Sequence, residues 1–184
     1  MGRIIGLVIY TWVLASGVGV LAAEPGPAAP SAKPAASDSC QIRNKKFCEL
    51  LRPEDANSAN GTRIVLYPAQ PWKCMTWKMY PAGEPVFHLQ NHFTSKTFAP
   101  VTKPDGAQFA VTQVPFSREA PECPAWRFTK LPDGLYQITE VKSGKVLTAA
   151  ASEGGGVRIV VAPWQKGDEQ KWELLKIDPA KLTM

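Results

Sequence analysis

From Ser39 onward the apolar positions fall in short runs rather than at helical spacing. Ile64-Val-Leu-Tyr67, Phe109-Ala-Val-Thr112 and Ile159-Val-Val-Ala162 are rich in β-branched and aromatic residues, which suit a pleated, half-buried strand. Turn formers punctuate these runs at Ala59-Asn-Gly61, Pro104-Asp-Gly106, Pro132-Asp-Gly134 and Lys142-Ser-Gly144. The pattern predicts an all-β domain of many short strands. The one competing stretch, Lys45 to Leu51, suits a single helical turn.

The runs recur as larger units. Three tryptophans close similar phrases, Cys74-Met-Thr-Trp77, Cys123-Pro-Ala-Trp126 and Glu169-Gln-Lys-Trp172, spaced 49 and 46 residues apart. Upstream of each, a glycine leads into a strand at Gly61, Gly106 and Gly156. Each unit opens alike, with Cys40-Gln-Ile42, Phe87-His-Leu89 and Tyr136-Gln-Ile138. Strand alternation puts Ile42, Leu89 and Ile138 on one face. A unit of about four short strands cannot bury a core alone. Three such units around a pseudo-threefold axis can, with an aliphatic and a Trp from each converging inward. The expected repeats cover about 39–83, 84–133 and 134–178 of a domain over 39–184.

The amino end reads differently. Arg3 and the uncharged apolar run Ile4–Val20, followed by Ala22 and Ala23, have the form of a signal peptide over 1–23. The run approaches membrane-spanning length, but Ser16, Gly17 and Gly19 and the lack of a basic flank favour cleavage over a stable anchor. Residues 24–38 follow as a Pro/Ala-rich linker. The chain is therefore expected to be secreted, or periplasmic in a Gram-negative bacterium. Its net charge of +5 comes from scattered Lys and Arg, not the basic stripe of a nucleic-acid binder. Four cysteines without C-x-x-C spacing in an exported chain point to disulfides rather than a metal site.

The landmarks resemble the ricin B-type lectin domain, a β-trefoil. The third repeat carries the resemblance best, through Gly134-Leu-Tyr136-Gln-Ile138, Ser143-Gly-Lys-Val-Leu147 and the closing Gln170-Lys-Trp172 of the family's Gln-x-Trp motif. The first two repeats depart from it with Met75-Thr-Trp77 and Pro124-Ala-Trp126. The resemblance implies a β-trefoil of three pseudo-equivalent four-strand repeats. Trp77, Trp126, Trp172 and Gln170 are then structural core residues, since Trp buries a large apolar area and the Gln satisfies nearby backbone groups.

The resemblance also implies a shallow sugar pocket in each active repeat. A carboxylate after the second strand takes hydroxyls, an aromatic on the third strand stacks on the ring, and a polar residue before Gln-x-Trp assists. In the first repeat Glu49 fits the acidic position, or Leu50 if the register shifts by one; Tyr67 fits the aromatic position and Cys74 the polar one. The second repeat offers Ala99 and Thr112. The third offers Thr148 and Ala162, with Trp164, Asp168 and Glu169 able to form a displaced site. The four cysteines allow three connectivities; a Cys48–Cys74 bridge would lie within the first repeat, and Cys40 would then pair with Cys123.

No acid, base and nucleophile converge. His88 and His92 have metalloprotease spacing, yet Leu89 stands where the catalytic Glu belongs. No catalytic residue, cofactor or metal is expected. The leading reading is a non-catalytic module that binds glycans or glycoconjugates through the first repeat. The alternative is a β-trefoil protease inhibitor or protein-interaction scaffold, presenting Arg52–Asn60 or Pro115–Pro124 with Arg118.

Overall fold

The computed structural model describes residues 38–101, 109–152 and 156–184. The expected signal peptide and nearly all of the linker lie outside them, as do the Pro104-Asp-Gly106 turn and most of Gly154-Gly-Gly156. The first repeat contributes β1 (Asp38–Asn44), β2 (Leu50–Pro53), β3 (Ile64–Tyr67) and β4 (Thr76–Pro81). The second contributes β5 (Val86–Asn91), β6 (Thr97–Pro100), β7 (Phe109–Val114) and β8 (Trp126–Lys130). The third contributes β9 (Tyr136–Glu140), β10 (Val146–Ala151), β11 (Val157–Ala162) and β12 (Lys171–Lys176). Among the described residues the helical pieces are single 3₁₀ turns. Lys45–Phe47 is the turn between β1 and β2, so the helical alternative there is not taken.

The outer strands of each repeat close a ring. β1 pairs with β4, β4 with β5, β5 with β8, β8 with β9, β9 with β12 and β12 with β1, all antiparallel. Closure into a six-stranded barrel removes unpaired strand edges. The inner strands form the hairpins β2–β3, β6–β7 and β10–β11. These meet one another through Arg158 opposite Val65, Val160 opposite Ala110 and a bridge between Arg63 and Thr112. A barrel capped by three mutually paired hairpins is a β-trefoil.

The core repeats three times. Ile42, Leu89 and Ile138 are fully buried, as are Trp77, Trp126 and Trp172. Leu51, Phe98 and Leu147 on the inner strands complete the layer. The Trp77 indole N–H donates to the Leu51 carbonyl at 3.1 Å, and that of Trp172 to Leu147 at 3.0 Å. The second repeat departs. Phe98 replaces leucine, sits edge-on to Trp77 and tilted against Trp126, and the buried Trp126 Nε1 has no partner.

A second threefold feature sets the hairpin register. Buried Asn44, Asn91 and Glu140 end β1, β5 and β9. Each side chain accepts two backbone N–H groups of the following turn: Lys46 and Phe47, Phe93 and Thr94, Lys142 and Ser143. Each turn then needs a left-handed residue to re-enter the sheet. Cys48 (φ 57°), Ser95 (φ 58°) and Gly144 (φ 68°) supply it. These three residues are structurally equivalent.

All four cysteines are free thiols, so neither expected bridge is present. Cys48 is committed to the exposed turn, with its Sγ 3.7 Å from the Lys45 carbonyl, whereas Cys74 is buried beside Leu50 and Met75. Cys40 lies inside the barrel with its Sγ 3.4 Å from Met79 Sδ. Burial pushes the Cys40 thiol up to about 12 and also raises Cys74 and Cys123. Because the thiolate is the reactive form, a disulfide-exchange reagent at pH 8 should label Cys48 rapidly and the other three only on unfolding. A native protein with no titratable thiol would reveal bridges instead.

Candidate functional site

The equivalence of Cys48, Ser95 and Gly144 aligns the three hairpins residue by residue. Four residues after this turn residue, on the second strand of each repeat, stand Arg52, Ala99 and Thr148. The strand ladders pair Arg52 with Val65, Ala99 with Thr112 and Thr148 with Val160. Two residues further on, the aromatic position is Tyr67, Val114 or Ala162. Three residues before each core tryptophan stand Cys74, Cys123 and Glu169.

This alignment changes two expectations. Arg52, rather than Glu49 or Leu50, occupies the first repeat's second-strand position. Val114, rather than Thr112, occupies the second repeat's aromatic position. The reason is the left-handed turn residue, which fixes where the strand pleat begins. Glu49 immediately precedes β2, one residue after the left-handed Cys48, and is therefore the equivalent of Lys145 in the third repeat rather than of Thr148.

What surrounds Tyr67 is an aromatic and cationic cluster. Tyr67 is 38% exposed. Its ring lies 5.8 Å from that of half-buried Trp72, with 32° between the planes. The Arg52 guanidinium stacks over Tyr67 at 3.9 Å, and its positive charge acts on the nearby Cys74 thiol. Trp72 is held from the far end of the chain. Thr183 bridges it, donates its N–H to the Pro71 carbonyl and accepts from the Lys73 N–H. Arg52 and Trp72 were missed by sequence reasoning. Arg52 was detectable only from the turn equivalence, and Trp72 only from the docked tail.

The third repeat holds a polar depression of about 300 Å³ lined by Lys145, Thr148, Ala162, Gln165, Glu169 and Gln170. Gln170 is buried and fully engaged: Nε2 donates to Thr148 Oγ1 (3.1 Å) and the Pro163 carbonyl (2.8 Å), and Oε1 accepts from Gln165 N–H (2.6 Å). Glu169 pairs with Lys46 at 3.8 Å. Asp168 pairs with Lys171 at 3.5 Å, and neither it nor half-buried Trp164 lines the depression. The second repeat's equivalent hollow is mainly apolar, with Ala99, Val114, Pro115 and Cys123.

A larger depression, about 550 Å³, lies elsewhere. It opens at the barrel end away from the hairpins, among Cys40, Met79, Phe87, Phe128, Tyr136 and Leu174. His88 and His92 are engaged with the Pro124 carbonyl (2.9 Å) and Ser39 Oγ (2.8 Å). Burial, then Lys78 and Lys73, hold the His92 imidazole below its usual range. Among the described residues no group of three His, Cys, Asp or Glu is placed to hold a metal.

Both candidate protein-contact loops are tied down. Gln113 Nε2 holds the Asn57 and Ala59 carbonyls at 3.0 Å, and Arg63 grips Glu54 through two hydrogen bonds. Arg118 lies over the Tyr80 ring at 4.8 Å, and Tyr80 stacks on Phe116.

Residues 122–183 match a family model described as ricin-type beta-trefoil lectin domain-like. Among solved structures, a designed threefold-symmetric protein, ThreeFoil, is 21% identical with a TM-score of 0.67, over 76% of this chain and 99% of that one. The exo-beta-1,3-galactanase 1,3Gal43A of Clostridium thermocellum is 20% identical with a TM-score of 0.65, over 76% of this chain but only 30% of its own. The C-terminal half of an earthworm R-type lectin, in complex with GalNAc, is 18% identical with a TM-score of 0.57, over 76% and 99%. No curated protein matches the chain by sequence.

Proposed function

We propose that this chain is an exported, non-catalytic carbohydrate-binding module. The observation that carries the reading is the exposed Tyr67 ring paired with Trp72, at the first repeat's sugar-stacking position. Two rigid aromatic faces desolvate the C–H face of a pyranose at little entropic cost. The third-repeat depression, with Glu169 and Lys145 on its wall, is a second place for hydroxyl groups; Trp164 and Asp168 would act only at its edge. The lectin-like match over 122–183 and the likeness to the earthworm lectin support this class of function.

A glycan array followed by titration tests it. Tyr67→Ala is expected to weaken the retained glycan by roughly tenfold or more, in keeping with a lost stacking contact of about 1.5 kcal/mol. Retention of no glycan, or affinity unchanged by the substitution, would overturn the reading.

A further inference from the structure

Arg52 is a charged side chain buried without a counter-ion among the described residues. Only 8% of it is exposed, and its Nε has no hydrogen-bond partner. The ion pairs formed by the described residues join Arg43 to Glu173, Lys46 to Glu169, Arg63 to Glu54 and Lys171 to Asp133 and Asp168. None of these involves Arg52. The Tyr67 ring lies 3.9 Å from its guanidinium, and the Cys74 thiol is near enough to feel its charge. Burial raises the thiol, although Arg52 draws it partly back down, so at neutral pH the sulfur is not the missing anion.

Burying a charge is costly unless an opposite charge or several hydrogen bonds compensate. The tyrosine face offsets part of that cost through its quadrupole. A guanidinium stacked through its face still carries its N–H donors in the plane of the group, at the edge. That edge suits the bidentate geometry of a carboxylate or sulfate. The lectin pattern places an acidic residue here to receive neutral hydroxyls, so arginine inverts the charge of the site.

We infer that the first-repeat site selects an anionic sugar, whose carboxylate or sulfate is received by Arg52 while its ring lies against Tyr67 and Trp72. This rests on the carbohydrate-binding reading above and specifies its ligand class. A neutral sugar would leave the guanidinium desolvated and unpaired, a penalty on the wrong ligand as well as a reward for the right one.

The test compares the full chain with Arg52→Gln and Arg52→Lys on three immobilised probes. These are a neutral galactose-terminated glycan, a uronic-acid-terminated glycan and a galactose 6-sulfate glycan. Wild type should prefer at least one acidic probe by roughly tenfold at low salt, as expected for one charge-assisted contact, and the preference should shrink as salt rises. The uronic and sulfated arms distinguish the source of the anion. Arg52→Gln should reduce the preference to near unity while keeping the circular dichroism spectrum of wild type, and Arg52→Lys should keep part of it. If Arg52→Gln does not fold, thermal melts of wild type decide: a soluble uronate should raise Tm more than the same concentration of galactose.

Equal retention of neutral and acidic probes, or a preference untouched by Arg52→Gln, overturns the charge inference and leaves the sugar reading standing. Retention of poly-glutamate in preference to every acidic glycan also overturns it. Binding to none of the glycans overturns both.

Discussion

Trp172→Ala is expected to destabilise the domain by about 3–5 kcal/mol, the range for removing a fully buried large aromatic. The three tryptophans are fully buried and close the barrel on the hairpin layer, so Trp77→Ala should cost a similar amount. Phenylalanine separates the hydrogen bond from the volume. Trp172→Phe and Trp77→Phe strand the Leu147 and Leu51 carbonyls, which now accept at 3.0 and 3.1 Å. A buried acceptor left unpaired costs about 1–3 kcal/mol. Trp126→Phe removes an N–H that has no partner. It should therefore be the mildest of the three phenylalanine variants, by roughly 1–2 kcal/mol. Urea unfolding followed by far-ultraviolet circular dichroism measures the series. Equal losses at all three positions would mean that the threefold pseudo-symmetry extends to the indole hydrogen bonds.

Gln170→Ala should be the next most damaging change. Its amide makes three hydrogen bonds, to Thr148, Pro163 and Gln165, and so fastens the loop from β11 to β12 onto β10. Alanine would orphan the Pro163 carbonyl and the Gln165 N–H at roughly 1–3 kcal/mol each, less whatever water recovers. A total loss of about 3 kcal/mol is expected from these terms. Hydrogen exchange offers the sharper readout. Protection of the Gln165 amide should fall by more than protection in β5 or β8, because the loop opens before the barrel does. Gln170→Glu should be nearly as harmful, since a carboxylate cannot donate to Thr148 or Pro163. The same substitutions should deform the third-repeat depression, whose wall includes Gln170 itself.

These two results bear on the part of the molecule most legible in its sequence. Ile42, Leu89, Ile138 and the three tryptophans could be read as inward-facing because burial recurs with the repeat and alternates along each strand. Gln170 could be read as structural because the motif needs a donor and an acceptor on one side chain. The site was less legible. Glu49 looked suitable because it lies close to the expected position in sequence, but the turn equivalence gives the second-strand position to Arg52, three residues further on. The residue that fixes the register is Cys48, and its left-handed conformation is not apparent from a cysteine in the way it is from Gly144. The sulfur atoms misled for a related reason. The expected export and an even count favour bridges, but pairing needs a specific separation and orientation of the two side chains. Cys48 faces the Lys45 carbonyl and Cys40 faces Met79.

The sequence by itself determined that the chain forms an all-β domain of three repeats with one tryptophan from each in the core. Those properties follow from local composition and from spacing, both linear in the chain. Only the tertiary structure decided that Arg52 stacks beneath Tyr67, that Trp72 is braced by Thr183, and that the second repeat leaves its indole unpaired. Each of these depends on strand register or on contact between distant segments. One turn residue can change the face a whole strand presents, and that is where the ligand chemistry of this fold is set.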